Sequence, residues 1–275
     1  MIERGGMEFV SQHNHTGFTG HGEGSVEQLI TQASKLGMTN IAVTEHYPLS
    51  KAIDEPNYIS MPKSSLPLYK EQILEQRAKH PEMEILVGCE LDWLGDDEDR
   101  TFAPDEFDDF DIILGSVHYL DLWPFDDPEQ KDYWDKMSPR WIWDRYFEVW
   151  CEAVTSSAPF TVMAHPDLVK KFNIYPEGSI KKYYSQAAEA ARAGNRMIEV
   201  NTSGLFYACK ELYPNIDLLR EFCRAGVPCT IGTDAHTALD VNRAIVEGYR
   251  HMYEAGYREL TVVVPGGDRR VIPLS

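Results

Sequence analysis

The chain alternates between short continuous runs of apolar residues and longer stretches with helical periodicity. Seven apolar runs each precede polar or charged residues, at positions 9–10, 40–44, 84–88, 111–115, 160–164, 197–200 and 227–231. Short apolar runs that are separated by helical stretches are typical of buried parallel strands. The pattern therefore predicts a series of βα units.

Helices are predicted between most of these strands. The first, from Ser25 to Leu36, repeats apolar residues at helical spacing and begins with a capping box formed by Ser25 and Gln28. Similar patterns predict helices at residues 66–79, 139–156, 179–193, 216–225 and 238–255. Seven βα units predict an α/β fold with a closed barrel related to the (β/α)₈ type.

The rest of the chain is predicted to attach to this barrel. Residues 1–7 resemble a short leader, and residues 256–275 form a tail whose apolar run at 260–264 is either an eighth strand or a peripheral one. Two long loops, an acidic one at 92–109 and an aromatic one at 119–137, are expected to shape a substrate site. Because no linker divides the chain, we predict one domain over residues 1–275.

Composition limits the classes of partner. A chain of 275 residues with 43% hydrophobic residues can bury a large core, and its formal net charge is −18. Nucleic acid and anionic membranes attract basic surfaces, so we expect neither as a partner. Five cysteines without Cys-x-x-Cys spacing predict reduced thiols in a cytoplasmic protein. The oligomeric state is left open.

Histidines are concentrated where the predicted strands end. Seven of the nine histidines follow a strand, as do Glu90 and Asp234. These histidines are His13, His15, His21, His46, His118, His165 and His236. The carboxyl ends of parallel barrel strands meet at one face. Because each divalent ion takes about three or four protein ligands, the nine groups predict two or three bound ions.

Seven short motifs contain these groups. They are His13-x-His15, His21-Gly22, Thr44-Glu45-His46, Gly88-Cys89-Glu90, Gly115-Ser116-Val117-His118, Ala164-His165-Pro166 and Gly232-Thr233-Asp234-Ala235-His236. Together they resemble the motifs of the polymerase and histidinol phosphatase (PHP) superfamily, over about residues 9 to 240. The segments 44–49, 115–120, 165–173 and 199–205 are similar to its monofunctional histidinol-phosphate phosphatase branch.

The resemblance implies a distorted, TIM-like (β/α)₇ barrel with a trinuclear metal site at the carboxyl ends of its strands. The implied ligand sets are His13, His15, Glu90 and Asp234 for the first ion; Glu90, His118 and His165 for the second; and His21, His46 and His236 for the third. Zinc, manganese and iron all accept imidazole and carboxylate ligands. Glu45 and Asp167 are expected to orient imidazoles from behind.

The implied reaction is hydrolysis of a small phosphate monoester, with L-histidinol phosphate of histidine biosynthesis as the expected substrate. A metal-bridging hydroxide is the expected nucleophile, because no serine, cysteine or aspartate carries a nucleophile motif. The expected catalytic residues are Glu90, Asp234 and His236. Either Asp234 or His236 would protonate the leaving alkoxide.

Polar residues on the same face are candidates for contacts with the substrate. The predicted contacts are Lys170, Lys171, Asn201 and Ser203. Phe206 and Tyr207 stand where related phosphatases often carry basic residues, which leaves the exact substrate open. Asp121 is a further candidate, for contact with the substrate amine.

Three other functions are compatible with parts of this pattern. The same site could hydrolyse another small phosphate monoester or a nucleotide. A non-catalytic metal-binding protein would be expected to lack some ligands, whereas all nine positions are occupied. A metal amidohydrolase shares the barrel and the His-x-His start, but it would usually need a bridging lysine, and none of the predicted strand ends carries one.

Overall fold

A computed structural model of the chain describes residues 8–95 and 105–274. The strands in this part are β1 (Phe9–Ser11), β2 (Met38–Val43), β3 (Glu84–Asp92), β4 (Ile112–Ser116), β5 (Tyr119–Leu120), β6 (Trp123–Pro124), β7 (Val162–Met163), β8 (Met197–Asn201), β9 (Cys229–Gly232), β10 (Glu259–Val263) and β11 (Arg269–Pro273). Seven of them form one parallel sheet in the order β1-β2-β3-β4-β7-β8-β9. The predicted strand order along the chain is therefore also the order in the sheet.

The helices form the outer layer around this sheet. They are α1 (Val26–Lys35), α2 (Leu66–Lys79), α3 (Pro139–Thr155), α4 (Lys181–Gly194), α5 (Ile216–Arg224) and α6 (Ile245–Ala255). The capping box predicted for α1 is confirmed, since Gln28 N donates to Ser25 Oγ (3.2 Å) and Ser25 N donates to Gln28 Oε1 (2.8 Å). Each helix buries one face against the sheet, and α3 buries Trp143 and Trp150 almost completely. Truncating side chains of this size to alanine typically costs about 3–5 kcal/mol.

The last strand of the sheet returns to the first and nearly closes the barrel. Gln12 N donates to Ile231 O, and Asp234 N donates to His13 O, both at 2.9 Å. These bonds hold the segment that follows β1 beside the segment that follows β9. The (β/α)₇ barrel expected from the sequence is thus confirmed.

The final apolar run forms a hairpin outside the barrel wall and contributes one side chain, Val263, to the barrel interior. Apolar side chains fill the barrel: Ala42, Leu86, Ile112, Leu114, Val162, Ala164, Met197 and Val263. Val263 belongs to β10, which pairs antiparallel with β11 outside the main sheet. Its backbone is held by Gln12, whose Nε2 donates to Val263 O (2.7 Å). Gly266 N, in the turn of this hairpin, donates to Asp111 just before β4. The hairpin is therefore a peripheral element at the amino ends of the strands.

The start of α6 differs from the prediction. The pattern predicts a helix over 238–255, but Ala238–Asp240 form a 3₁₀ turn and the α-helix begins at Ile245. Ala244 has a left-handed conformation (φ 58°), which an α-helix cannot continue through. The turn lets Val241 become fully buried beside the residues of α1.

The long loop at 119–137 also contains regular structure. β5 and β6 form a two-stranded antiparallel hairpin, and Pro128–Lys136 form 3₁₀ turns. The predicted leader at 1–7 and residues 96–104 of the predicted acidic loop lie outside the described residues.

The state of the cysteines agrees with the reduced thiols predicted from the sequence. All five cysteines are free thiols, and three of them are buried. No described helix combines the length and the apolar character that crossing a membrane requires.

Candidate metal centre

The carboxyl ends of the strands bring the nine predicted ligands together around Glu90. This carboxylate lies near the end of β3 and is almost fully buried. Its Oε2 is 3.3 Å from Nε2 of both His13 and His15. Its Oε1 is 2.9 Å from His165 Nε2. Glu90 therefore joins two groups of imidazoles through its two oxygens.

The first group contains the His-x-His pair. The Nε2 atoms of His13 and His15 are 3.1 Å apart. Asp234 Oδ1 lies 3.6 Å from the first of these nitrogens and 3.4 Å from the second. One donor atom of each residue lies within 4.8 Å of the others, which is close enough for a single ion to contact all three.

The second group lies on the other side of Glu90. Oε1 of Glu90 is 3.6 Å from His118 Nε2, in addition to its contact with His165. The rings of His118 and His165 have centroids 5.0 Å apart. Strands β4 and β7 are neighbours in the sheet, and these two histidines follow them.

The third group lies next to the first. The ring of His21 is 5.2 Å from that of His46 and 4.8 Å from that of His236. His15 stacks between His46 and His236, at 4.5 and 4.3 Å. The donor atoms of His15, His46 and His236 lie within 4.8 Å of one another, so this group shares an imidazole with the first.

Glu199 holds His13 from behind, a role that was not recognised from the sequence. Its Oε1 accepts a hydrogen bond from His13 Nδ1 (2.9 Å), and its Oε2 accepts from His165 N (3.0 Å) and Asn201 Nδ2 (3.1 Å). An Nδ1–H that is donated outwards leaves the Nε2 lone pair directed at the cluster. The only available signal was a glutamate within the otherwise apolar run 197–200.

Two further imidazoles are oriented in the same way. His118 Nδ1 lies 2.7 Å from Asp92 Oδ1, and His21 Nδ1 lies 3.0 Å from the carbonyl oxygen of Tyr58. Each contact occupies the Nδ1 atom, so the Nε2 atom of the same ring is left to face the cluster. Asp92 follows Glu90 by two residues in β3, so both point to the same side of an extended strand.

The two carboxylates that were predicted to orient imidazoles make other contacts. Glu45 Oε1 accepts from the N and Oγ1 atoms of Thr16, both at 2.5 Å, whereas its Oε2 is 3.9 Å from His15 Nδ1, too far for a hydrogen bond. Burial raises the pKa of Glu45 to about 7. Asp167 pairs with Lys170 at 2.9 Å. Glu45 therefore holds the backbone that follows His15. Asp167 is paired with Lys170, so it does not orient an imidazole as predicted.

The electrostatics of the cluster favour bound cations. Burial alone would raise the pKa of Glu90, but His13, His46 and His118 outweigh burial and hold this pKa well below its usual range. Burial alone would lower the pKa of His118, but Asp92 and Glu90 raise it to about 10. The buried carboxylates thus require positive charge, which protons or metal ions can supply in competition with each other.

The polar atoms of the cluster fit divalent ions. Nδ1 of His46 is buried, forms no hydrogen bond with the described residues and faces Glu90 Oε2 at 3.1 Å. A buried polar atom without a partner costs about 1–3 kcal/mol. The Nε2 atoms of His13 and His15 face each other, and a cation between them would satisfy both lone pairs. The imidazole and carboxylate donors therefore have the chemistry and the spacing that a divalent ion requires.

Of the two predicted lysines, Lys171 lies at the edge of this site. Its Nζ is 2.9 Å from Asp126 Oδ2 and 4.7 Å from the ring centre of Tyr207. Burial alone would lower the pKa of Lys171, but Asp126 outweighs it, and this pKa is raised. Burial alone would raise the pKa of Asp126, but Lys171, His118 and His165 lower it. Lys171 is therefore a persistent cation beside the second group of ligands.

Lys170 is buried and paired inside the protein, which disfavours its predicted contact with substrate. Its side chain is fully buried. Nζ donates to Leu212 O (2.7 Å) and pairs with Asp167 (2.9 Å) and Glu211 (3.2 Å). An ammonium group has three N–H donors, and these contacts use all of them.

Asn201 and Ser203 lie behind Asp234. Asn201 Nδ2 is 3.4 Å and Ser203 Oγ is 3.3 Å from Asp234 Oδ2. Both residues are almost fully buried, so we interpret them as groups that position this carboxylate. Asp121, the candidate for the substrate amine, pairs with Arg145 at 2.8 Å.

Phe206 and Tyr207 are partly exposed, and a cationic side chain lies over each of their rings. Phe206 is 48% and Tyr207 39% exposed, so neither is a core residue. The guanidinium carbon of Arg243 lies 4.1 Å from the ring centre of Phe206. Lys171 occupies the equivalent position over Tyr207. Basic groups thus lie beside positions 206 and 207, although the two residues that follow Ser203-Gly204-Leu205 are aromatic.

Comparison with known proteins gives the same architecture over most of the chain. A probable histidinol-phosphatase from Deinococcus radiodurans is 27% identical over 250 residues, which is 90% of this chain and 94% of the relative. The histidinol-phosphatase of Bacillus subtilis is 27% identical over 262 residues, or 86% of this chain and 97% of the relative. The crystal structure of histidinol phosphate phosphatase from Lactococcus lactis, in complex with zinc, L-histidinol and phosphate, has a TM-score of 0.75 at 22% identity and covers 96% of this chain and 99% of its own.

The model of the PHP domain family matches residues 11–203. This range is more than half of the chain and contains His13, Glu90 and His165 from the centre of the cluster. The matched range includes strands β2 to β8 and seven of the nine candidate ligands. The chain therefore belongs to the PHP domain family.

Proposed function

We propose that this protein is a metal-dependent phosphatase that hydrolyses L-histidinol phosphate to L-histidinol and phosphate. The observation that carries the proposal is the cluster of imidazoles around the two oxygens of Glu90. The curated relatives named histidinol-phosphatase match nearly the whole chain, which supports this substrate and a role in histidine biosynthesis.

We assign the metal ligands from the distances around Glu90. Oε2 of Glu90, with His13, His15 and Asp234, would hold one ion, and Oε1, with His118 and His165, would hold a second. His21, His46 and His236 would hold a third. The zinc in the structure of the Lactococcus relative supports zinc, and the same donors also suit manganese and iron.

The ligands would combine with nearby polar groups to perform the reaction. Bound divalent ions activate water and neutralise charge on phosphoryl oxygens. Asp234 and His236 reach the surface of the cluster, with side chains 16% and 28% exposed. We therefore keep these two residues as the candidates that protonate the leaving alkoxide. Asn201 and Ser203 would keep the Asp234 carboxylate in place.

Lys171 would contact the substrate phosphate. Its cation lies beside the second group of ligands and is 12% exposed. Replacing Lys171 by alanine should raise KM for the phosphate monoester. The exposed Lys182, which pairs with Asp144 on the outer helices, provides a matched control. An unchanged KM for the Lys171 variant would remove this residue from the phosphate site.

The reaction is tested by release of inorganic phosphate from L-histidinol phosphate. The protein is supplied with zinc or manganese, and a generic aryl phosphate is assayed in parallel. We expect much faster turnover of histidinol phosphate than of the aryl ester. Turnover of the aryl ester alone would retain the phosphatase and reject the biosynthetic substrate. Activity on neither ester in a metal-loaded sample would reject both the phosphatase activity and the proposed substrate.

The bridging role of Glu90 is tested separately by metal content. Replacing Glu90 by alanine removes both carboxylate oxygens from the cluster. We expect the variant to lose at least one ion per chain, as measured by elemental analysis of the purified protein. Metal content equal to that of the wild type would reject the bridging assignment.

A further inference from the structure

We propose that Arg243 is a second cation for the substrate phosphate and that Phe206 holds it at the mouth of the metal centre. This inference rests on the proposed phosphatase function and adds a specificity-determining residue to that site. Arg243 was not among the residues predicted from the sequence. It lies beyond His236, between the 3₁₀ turn that follows this ligand and the start of α6.

The backbone of Arg243 is fixed beside strand β8. Thr202 Oγ1, immediately after this strand, donates to Arg243 O at 2.6 Å. Thr202 lies between Asn201 and Ser203, the two residues that contact the Asp234 carboxylate. The anchor of Arg243 is therefore adjacent in the chain to the groups that position a predicted metal ligand.

The Arg243 guanidinium has N–H donors that form no hydrogen bond with the described residues. Its guanidinium carbon lies 4.1 Å from the ring centre of Phe206, and Nη1 donates to Asp240 Oδ2 at 3.2 Å. Its Nε is buried and has no hydrogen-bond partner among the described residues. A guanidinium has five N–H donors in a planar fork that matches the oxygens of a phosphate group.

The two neighbouring aromatic residues bring two cations to one side of the cluster. Phe206 carries Arg243, and Tyr207 carries Lys171. Burial raises the pKa of Tyr207, Lys171 and Arg243 oppose this increase, and Asp234 adds to it. The two cations therefore lie over adjacent aromatic rings.

The charge of the whole chain makes this arrangement informative. With a net charge of −18, the chain as a whole repels a phosphate monoester. Two cations that are stacked on aromatic rings at the mouth of the metal site would attract the anion where it must enter. The Arg243–Asp240 ion pair is partly exposed, and pairs of this kind contribute little to stability.

The test compares Arg243→Ala with Arg220→Ala. Arg220 is a matched control, because it also forms an i,i+3 ion pair with an aspartate and lies on the exposed side of α5. In the Arg243 variant we expect KM for histidinol phosphate and Kd for inorganic phosphate to rise about tenfold or more. Bound metal and Tm should match the wild type. The control should leave all four quantities unchanged.

A second variant tests the position of the charge. Because the guanidinium lies directly over Phe206, an arginine at position 206 would start beside the lost group. The double variant Arg243→Ala, Phe206→Arg should therefore recover most of the phosphate affinity. Recovery would not be expected if Arg243 only packed against the ring.

Calorimetric titration of inorganic phosphate into the metal-loaded protein separates this inference from the proposed function. If the wild type binds phosphate but does not hydrolyse histidinol phosphate, the proposed substrate fails while Arg243 is still tested by its effect on Kd. An unchanged phosphate Kd in Arg243→Ala would overturn the inference. So would a wild type that binds no phosphate, or a variant whose loss of affinity is matched by loss of metal.

Discussion

Replacing Glu199 by glutamine should weaken metal binding although no metal ligand is removed. Both oxygens of this carboxylate accept hydrogen bonds: Oε1 from His13 Nδ1, and Oε2 from His165 N and Asn201 Nδ2. Glutamine has nearly the same shape but replaces one oxygen by an NH₂ group. A donor must then face another donor, whichever way the amide is turned.

Each orientation of the amide has a cost. If the NH₂ faces His13, the imidazole must move its proton to Nε2 and thereby loses the lone pair that is directed at the cluster. If the NH₂ faces the other way, the donors of His165 and Asn201 lose their acceptor, which costs about 1–3 kcal/mol. Groups that orient a metal-binding imidazole are typically worth about 10–100-fold in metal affinity. This range corresponds to about 1.4–2.8 kcal/mol.

The assay is competition for zinc between the protein and a chromophoric chelator. Glu189→Gln, on the exposed side of α4, controls for the loss of one negative charge. We expect the Glu199 variant to lose zinc at a chelator concentration at least tenfold lower than the wild type and the control. A zinc affinity within twofold of the wild type would refute the assignment of Glu199 as the group that orients His13.

Three other perturbations test separate contacts. Replacing Lys170 by methionine leaves the buried Asp167 without its main partner and should lower the free energy of unfolding by about 3–5 kcal/mol, measured in urea, with little change in KM; a raised KM at unchanged stability would contradict its structural role. Replacing Asp54 by alanine removes the acceptor of Tyr58 N (2.8 Å) and loosens the loop whose carbonyl orients His21. Elemental analysis should then find one ion fewer per chain, and full metal content would reject this link. Removing metal with a chelator should lower Tm, because ions that bind only the folded state stabilise it by about 2.7 kcal/mol at 100 times their Kd; an unchanged Tm would show that the cluster contributes no such stabilisation.

Local patterns in the sequence were enough to predict the barrel and to select the candidate metal ligands. Strand and helix periods depend on neighbouring residues, and parallel strands must end on one face. The seven histidines, Glu90 and Asp234 could therefore be placed on that face before any contact was known. The end of the predicted helix 238–255 was correct, whereas its start depended on where Val241 could be buried.

Only the tertiary structure decided which groups support the ligands. Glu199 contacts His13 across 186 positions of sequence, because β8 and β1 lie on the same barrel, and no local pattern reports such a pair. Lys170 and Lys171 are adjacent in the chain, yet they have different surroundings. Lys170 is buried and paired with Asp167, whereas Lys171 lies beside the cluster. Periodicity is a property of neighbouring residues, but the partner of a polar side chain depends on which distant segments meet. For this reason the sequence by itself determined the candidate ligands, whereas the fold determined how these side chains are oriented and which cations lie near them.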